Sequence, residues 1–209
     1  MADQMYYGEK FNSVTHLVGA TLALAGATLL VVLAGLGGDP WKVVSVSIYG
    51  VTLVMLYTSS VLYHSLQGRP KDVLRKLDHQ SIYLLIAGSY TPFCLVTLRG
   101  PWGWSLFGVV WGLAVLGGLL DLRPRSGARI LAVAIYVVMG WTALVAVAPL
   151  LRALGPVGFA WVAAGGLFYT VGIAFFALDT RLRHAHGVWH LFVLAGSATH
   201  YYAILHYVL

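Results

Sequence analysis

Residues 11–38 read FNSVTHLVGATLALAGATLLVVLAGLGG, and this stretch contains no Asp, Glu, Lys or Arg. An α-helix rises about 1.5 Å per residue and the hydrocarbon core of a bilayer is about 30 Å thick, so roughly 20 apolar residues cross it once. Six more charge-free intervals of sufficient length follow, at 43–68, 79–98, 100–120, 130–151, 153–178 and 184–209. The sequence therefore predicts an all-α integral membrane protein, a bundle of seven transmembrane helices.

The composition favours the same class of protein. Hydrophobic residues make up 59% of the chain and charged residues 10%, whereas about a quarter of a soluble domain is charged. A soluble helical bundle also needs polar faces on its outer helices, and no interval carries a charged stripe. We expect one membrane domain covering residues 1–209, with helices at about 12–36, 43–66, 77–98, 102–121, 128–150, 156–178 and 187–208.

The basic residues predict the orientation of the bundle. Alternate loops hold ten on one side and three, Lys42, Arg99 and Arg152, on the other. Positive charge in short loops marks the cytoplasmic side, so we expect a cytoplasmic N-terminus and an external C-terminus in the plasma (inner) membrane. The same bias explains the net charge of +6, so membrane lipids are the expected partners and nucleic acid is not. The ten are Lys10, Arg69, Lys71, Arg75, Lys76, Arg123, Arg125, Arg129, Arg181 and Arg183.

Ionisable groups inside spanning helices are costly, which makes them candidates for function. The predicted topology brings five of them to the cytoplasmic face. These are His16, His64, Asp78, His186 and His190. Because Cys94 is the only cysteine, a thiolate cluster is excluded, and a metal bound here would need nitrogen and oxygen ligands.

His186 and His190 are four residues apart, which puts them on one helical face where they can share an ion. His64 is a candidate third ligand, and Ser60 lies one turn from it. Three imidazoles and a water would make an open, tetrahedral zinc site, with Asp78 and Ser60 as the catalytic groups beside the water. A hydrogen-bonded polar network at the helix ends fits the charge map equally well.

Glu9, Asn12 and His16 share one face of the first helix. They form either an N-terminal cap or a cytoplasmic lid over the site, in which His16 would bond a carboxylate beside the metal ligands. Of the other histidines, we expect His79, His184 and His206 to be interfacial. His200 is about 15 Å further along its helix than His190, and we expect it to be a hydrogen-bonded packing residue.

Four segments of the chain together form a recognisable pattern. They are Glu9-Lys-Phe-Asn12-Ser-Val-Thr-His16, Ser60-Val-Leu-Tyr-His64 with Leu77-Asp78, Ile82–Phe93, and His186-Gly-Val-Trp-His190. They resemble the bacterial hemolysin III group of the progestin and adipoQ receptor superfamily, which includes the adiponectin receptors, and the resemblance covers the full chain. It implies seven helices, a cytoplasmic N-terminus and a zinc ion held by His64, His186 and His190, with Asp78 and Ser60 near its water.

The resemblance suggests a zinc-dependent hydrolase of a membrane lipid amide or ester. Zinc would lower the pKa of its bound water toward ~7, and Asp78 would accept the proton and return it to the leaving group. Two other functions stay open. One is a lipid sensor or regulator with structural zinc. The other is a pore-forming hemolysin, which needs a polar path through the whole membrane, whereas the outer halves of these helices carry few ionisable residues.

Overall fold

A computed structural model of the protein describes residues 8–122 and 130–209, which contain helices and no β-strand. Two short segments of other helix types interrupt the α-helices: the wider π-helix Phe93–Thr97 and the tighter 3-10 helix Thr142–Ala146. The all-α prediction is confirmed. In chain order the α-helices are α1 Glu9–Gly37, α2 Pro40–Ser65, α3 Arg69–Pro92, α4 Pro101–Asp121, α5 Ile130–Trp141, α6 Val147–Ala177 and α7 Ala185–Tyr207.

The prediction of seven separate helices is wrong in one place. Residues 130–177 contain no loop, so the described residues form six helical rods, of which the fifth is bent sharply at Gly155. The expected break lay at 151–155, and there Gly155 has non-helical backbone angles, φ 68° and ψ 171°, directly before Pro156. Glycine adopts a positive φ without steric cost and proline lacks an N–H, so the pair produces a kink in place of a loop.

Four helical rods are long and apolar enough to cross a membrane. The two others are more polar for identifiable reasons. α3 begins at Arg69, well before the expected position 77, and its first turns carry the charged residues between Arg69 and Asp78. α7 contains four histidines. The four apolar rods are Glu9–Gly37, Pro40–Ser65, Pro101–Asp121 and Ile130–Ala177.

Short turns pack consecutive helices side by side. Gly38, whose φ is 73°, caps the C-terminus of α1. The Asp39 carboxylate then accepts a hydrogen bond of 2.9 Å from the backbone N–H of Trp41 and caps the N-terminus of α2. Glycines allow the helices to approach closely. A side chain at Gly88 of α3 would overlap Thr52 of α2, and one at Gly165 of α6 would overlap the His200 ring of α7.

The polar groups of four helices meet at one end of this bundle, which we call the histidine end. It comprises the first turns of α1 and α7, the last turn of α2 and the first half of α3. The Glu9 carboxylate accepts hydrogen bonds from Lys71 Nζ at 2.6 and 2.8 Å, and the Ser13 and Ser65 hydroxyls are 2.6 Å apart. These contacts hold α1, α2 and α3 together at the histidine end.

Candidate metal centre

Three histidines from two helices form a compact triad at the histidine end. His64 closes α2, and His186 and His190 occupy successive turns of α7. The ring centroids are 4.8 to 5.1 Å apart, and one ring nitrogen from each residue lies within 4.8 Å of the other two. His64 and His190 are buried. The triad is a group that can hold a metal ion.

Hydrogen bonds at Nδ1 fix the tautomer of the two α7 histidines. His190 Nδ1 is 3.1 Å from the Asn12 carbonyl oxygen and 3.2 Å from Thr15 Oγ1, and His186 Nδ1 is 3.2 Å from Asp179 Oδ2. The Thr15 hydroxyl donates its own proton to backbone carbonyl oxygens of α1. All three partners therefore accept, so each Nδ1 carries the proton and each Nε2 presents its lone pair. Partners of this kind fix the tautomer and orientation of a ligating imidazole. Both rings are thereby prepared to bind a metal.

His64 is oriented more loosely. Its Nδ1 is 4.0 Å from Glu9 Oε1, which is too long for a hydrogen bond, and neither of its buried ring nitrogens has a hydrogen-bond partner among the described residues. Lys71 holds the Glu9 carboxylate in place and also donates to the Tyr63 carbonyl oxygen at 3.0 Å. A buried imidazole without partners is unfavourable, and a metal ion at the triad would satisfy one of its nitrogens.

The triad is slightly wider than an occupied metal site. Bonds of about 2.1 Å to a tetrahedral ion place ligand nitrogens roughly 3.4 Å apart. In the triad, the candidate ligand nitrogens lie within 4.8 Å of one another. The geometry and the nitrogen-only donor set both fit a metal ion.

His16 lies against the triad. Its ring stacks on His190 with centroids 3.5 Å apart and 11° between the planes, and Tyr57 contacts it edge-on at 5.0 Å. Neither of its nitrogens has a hydrogen-bond partner among the described residues. The expected bond from His16 to a carboxylate is therefore not formed among the described residues, where the ring packs against His190 and Tyr57. Of the three lid residues, Asn12 contacts a ligand candidate through its backbone and Glu9 approaches His64.

Asp78 and Ser60 lie beside the triad without belonging to it. Both are buried, and both line a cavity of about 120 Å³ together with His16, His186 and His190. The Ser60 hydroxyl has no hydrogen-bond partner among the described residues. Asp78 occupies the third turn of α3 and not its start, since α3 begins at Arg69. Their catalytic roles stay predictions.

The remaining histidines differ partly from expectation. His79 lines the cavity and lies 4.0 Å from Asp121, so it is more than an interfacial residue. His184 caps the start of α7 with a positive φ of 63°. His200 bonds the Val162 carbonyl oxygen at 3.1 Å, as expected of a packing residue. Arg123, Arg125 and Arg129 lie outside the described residues.

Sequence reasoning missed Asp179, the carboxylate that orients His186. Asp179 follows α6 by two residues, and nothing in its spacing marks it as a partner of α7. Only the turn between α6 and α7, closed by the left-handed backbone of His184, brings it to His186. Its one sequence signal is that it is the only acidic residue in the segment before the His186–His190 pair.

We predict that Asp179→Asn weakens metal binding about 10- to 100-fold, the usual effect of losing a carboxylate partner of a ligating histidine. Competition with a chelator on the purified protein measures it. The matched control is Asp72→Asn, since Asp72 is an exposed carboxylate in the first turn of α3. Equal affinities for both variants would show that Asp179 does not prepare His186.

Comparison with known proteins agrees with this architecture. The family model for haemolysin-III related proteins matches residues 5–201. The chain is 42% identical to Hemolysin-3 of Bacillus cereus over 202 residues (95% of this chain and 90% of that protein), and 39% identical to the Hemolysin-3 homolog of Bacillus subtilis (strain 168) over 197 residues (94% and 92%). It is 30% identical to the human Monocyte to macrophage differentiation factor over 209 residues (97% and 85%). The chain therefore belongs to the haemolysin-III related family of multi-pass membrane proteins.

Proposed function

We propose that this protein is a zinc-dependent hydrolase that cleaves an amide or ester bond of a membrane lipid. The proposal depends on one observation. The histidine triad adjoins a largely apolar cavity that also contains Asp78 and Ser60. A metal-dependent hydrolase needs a metal, a proton acceptor and a place for the substrate, and this arrangement puts candidates for all three together.

The donor set supports zinc and a catalytic role for it. Three imidazoles with no thiolate suit zinc among the common intracellular metals. Structural zinc sites use four protein ligands, whereas catalytic sites use three and keep one position open. Among the described residues, the group that can hold a metal here has three members, His64, His186 and His190. The open position would face the cavity.

Asp78 and Ser60 would carry out the proton transfers and the positioning. Zinc, when bound, supplies an acidified water and polarises the carbonyl to be cleaved. Asp78 would accept the proton from the attacking water and deliver it to the leaving nitrogen or oxygen. The Ser60 hydroxyl, which has no partner among the described residues, would orient that water or the substrate carbonyl. His16, stacked on His190, would keep this ring in place.

The cavity suits the acyl chain of an amphiphile. From the triad it extends between α3, α5, α6 and α7, and beyond the histidine end its wall is mainly aliphatic and aromatic, for instance Leu85, Val137, Ile173 and Val193. A second cavity of about 90 Å³ adjoins it. A lipid could place its polar head at the triad and its chain along these cavities. Apolar walls with a few polar groups are typical of such ligand sites.

We further propose that the chain crosses the membrane seven times, with a cytoplasmic N-terminus. The contacts of residues 130–177 support a reversal of direction at Gly155. Tyr136 lies beside His79 and Gly140 beside Tyr90, so α5 runs parallel to α3. After the kink the direction is opposite to α7, because Gly158 faces Tyr207 and Gly172 faces Trp189. The basic residues of the loops then place the histidine end in the cytoplasm.

Alkaline phosphatase fused after Leu209 tests this topology, since the enzyme is active only outside the cytoplasm. We expect activity there and none for a fusion after Thr180, in the turn between α6 and α7. Six crossings with the same N-terminal orientation would leave the Leu209 fusion inactive. A reversed bundle would activate the Thr180 fusion instead, and either result would contradict the proposal.

Lipid cleavage tests the hydrolase proposal. Purified protein mixed with vesicles containing an N-acylated sphingoid base and phosphatidylethanolamine should release free fatty acid, detected by mass spectrometry. His190→Ala and Asp78→Asn should each lower the rate at least 100-fold, because one removes a ligand and the other the proton acceptor. His206→Ala is the matched control, since His206 lies at the far end of α7 against Tyr202.

Unaltered release by either site variant would contradict the mechanism. Zinc that raises the melting temperature while no lipid is cleaved would instead favour a sensor with structural zinc. Pore formation is the activity suggested by the name of the Bacillus cereus relative, Hemolysin-3. Dye leakage from vesicles that is equal for wild type and His64→Ala would support a pore independent of the metal.

A further inference from the structure

The two cavities meet at a narrow section that we call the waist. Six residues line both cavities and so define it. Three are polar or aromatic residues of α3 and α5, and two are glycines, which leave the section open. The six are Ser89, Tyr90, Gly140, Trp141, Gly166 and His200.

The donors of the waist are already satisfied by neighbouring atoms. Ser89 Oγ donates to the Ile86 carbonyl oxygen at 2.8 Å and Tyr90 Oη donates to the Gly140 carbonyl oxygen at 2.7 Å. Trp141 Nε1 donates to Thr170 Oγ1 at 3.1 Å. None of these three groups needs a ligand to complete its hydrogen bonding.

His200 differs from them. Its Nε2 lies 3.1 Å from the Val162 carbonyl oxygen. Because a carbonyl oxygen only accepts hydrogen bonds, Nε2 carries the proton and Nδ1 is an acceptor. Nδ1 is buried and has no hydrogen-bond partner among the described residues. The nearby Tyr169 hydroxyl is bonded to Ser197 Oγ at 2.9 Å. The waist therefore contains an acceptor for which the surrounding side chains provide no donor.

The position of this acceptor is built into the helix packing. Gly165 of α6 faces the His200 ring so closely that any side chain there would overlap it, and Tyr169 contacts the ring edge-on with centroids 5.5 Å apart. An unpaired acceptor in an apolar environment is unfavourable. A ligand that brings a hydrogen-bond donor to this point would remove that cost.

We propose that the waist recognises a hydroxyl group in the middle of the acyl chain, bonded to His200 Nδ1. This inference rests on the proposed function, because it assumes that an acyl chain occupies the cavity. His200 follows His190 by ten residues, so it lies about 15 Å along α7 from the triad. If the polar head of a lipid lies at the triad, a carbon beyond the midpoint of its acyl chain lies at this depth. The preferred substrates are then lipids with a mid-chain hydroxyl.

Competition binding to the purified protein tests this proposal without knowledge of the natural substrate. The probes are stearate, stearate hydroxylated at mid-chain, and stearate hydroxylated beside its carboxyl, each displacing tritiated stearate. In the wild type, the mid-chain hydroxyl should strengthen binding about five- to tenfold relative to stearate, which is the effect of one net hydrogen bond. The hydroxyl beside the carboxyl should give no such gain, because it cannot reach His200.

The variants are His200→Leu and, as a matched control on the same helix, His206→Leu. The first should abolish the mid-chain preference and the second should keep it. If His200→Leu folds poorly, comparing the two hydroxylated isomers on the wild type still tests whether the position of the hydroxyl determines the affinity. Equal binding of stearate and its mid-chain derivative, or a preference that survives in His200→Leu, would overturn this inference while leaving the hydrolase proposal intact. Absence of stearate binding would overturn both the inference and the assignment of the cavity to an acyl chain.

Discussion

Imidazole rings packed together inside an apolar bundle require hydrogen-bond partners for their nitrogens, and the surrounding helices and turns provide some of them. In a medium without water, each ring nitrogen needs a partner, or it destabilises the fold. α1 provides one through the Asn12 carbonyl oxygen, and the turn after α6 provides another through Asp179. These partners fix the tautomers of His190 and His186, and one nitrogen of each lies within 4.8 Å of one nitrogen of His64. The buried His64 ring has no hydrogen-bond partner among the described residues, and an ion held by the three would satisfy one of its nitrogens.

α7 links this candidate metal centre to the cavity. Its first turns carry His186 and His190, and its middle carries His200 at the waist. Large side chains of α7 pack against glycines of α6. This single helix interface positions both the triad and the waist, the two ends of the proposed substrate path. Chemistry at the triad and recognition at the waist would thus share a single scaffold, separated by about 15 Å along the helix.

The sequence predicted much of the site because its ligands obey simple rules. The four-residue spacing of His186 and His190 placed them on one face, and the charge distribution brought His64 to the same end. The structure agrees with both expectations. The start of α3 was missed because charged residues from Arg69 onward were assigned to a loop, although a helix can continue beyond the hydrocarbon. The expected loop near 151–155 is a kink, since Gly155 and Pro156 change the chain direction without unwinding the flanking helices.

Other features depend on three-dimensional packing and leave no periodic signal. Asp179 reaches His186 only through the backbone geometry of a turn, and His16 is stacked on His190 and packed edge-on against Tyr57 by contacts between three helices. The family resemblance suggested zinc and identified its three ligands, but it gave no indication of the waist. The place of His200 at the waist depends on the outline of the cavities and on its Nδ1, which has no hydrogen-bond partner among the described residues.

The proposed chemistry requires that His64, His186 and His190 hold zinc with one open position. X-ray absorption at the zinc edge of the purified protein measures this coordination. We expect three imidazole nitrogens and one further light atom at about 2.0–2.1 Å, and loss of this signal in His64→Ala. A shell of six oxygens, or a spectrum that His64→Ala leaves unchanged, would contradict it.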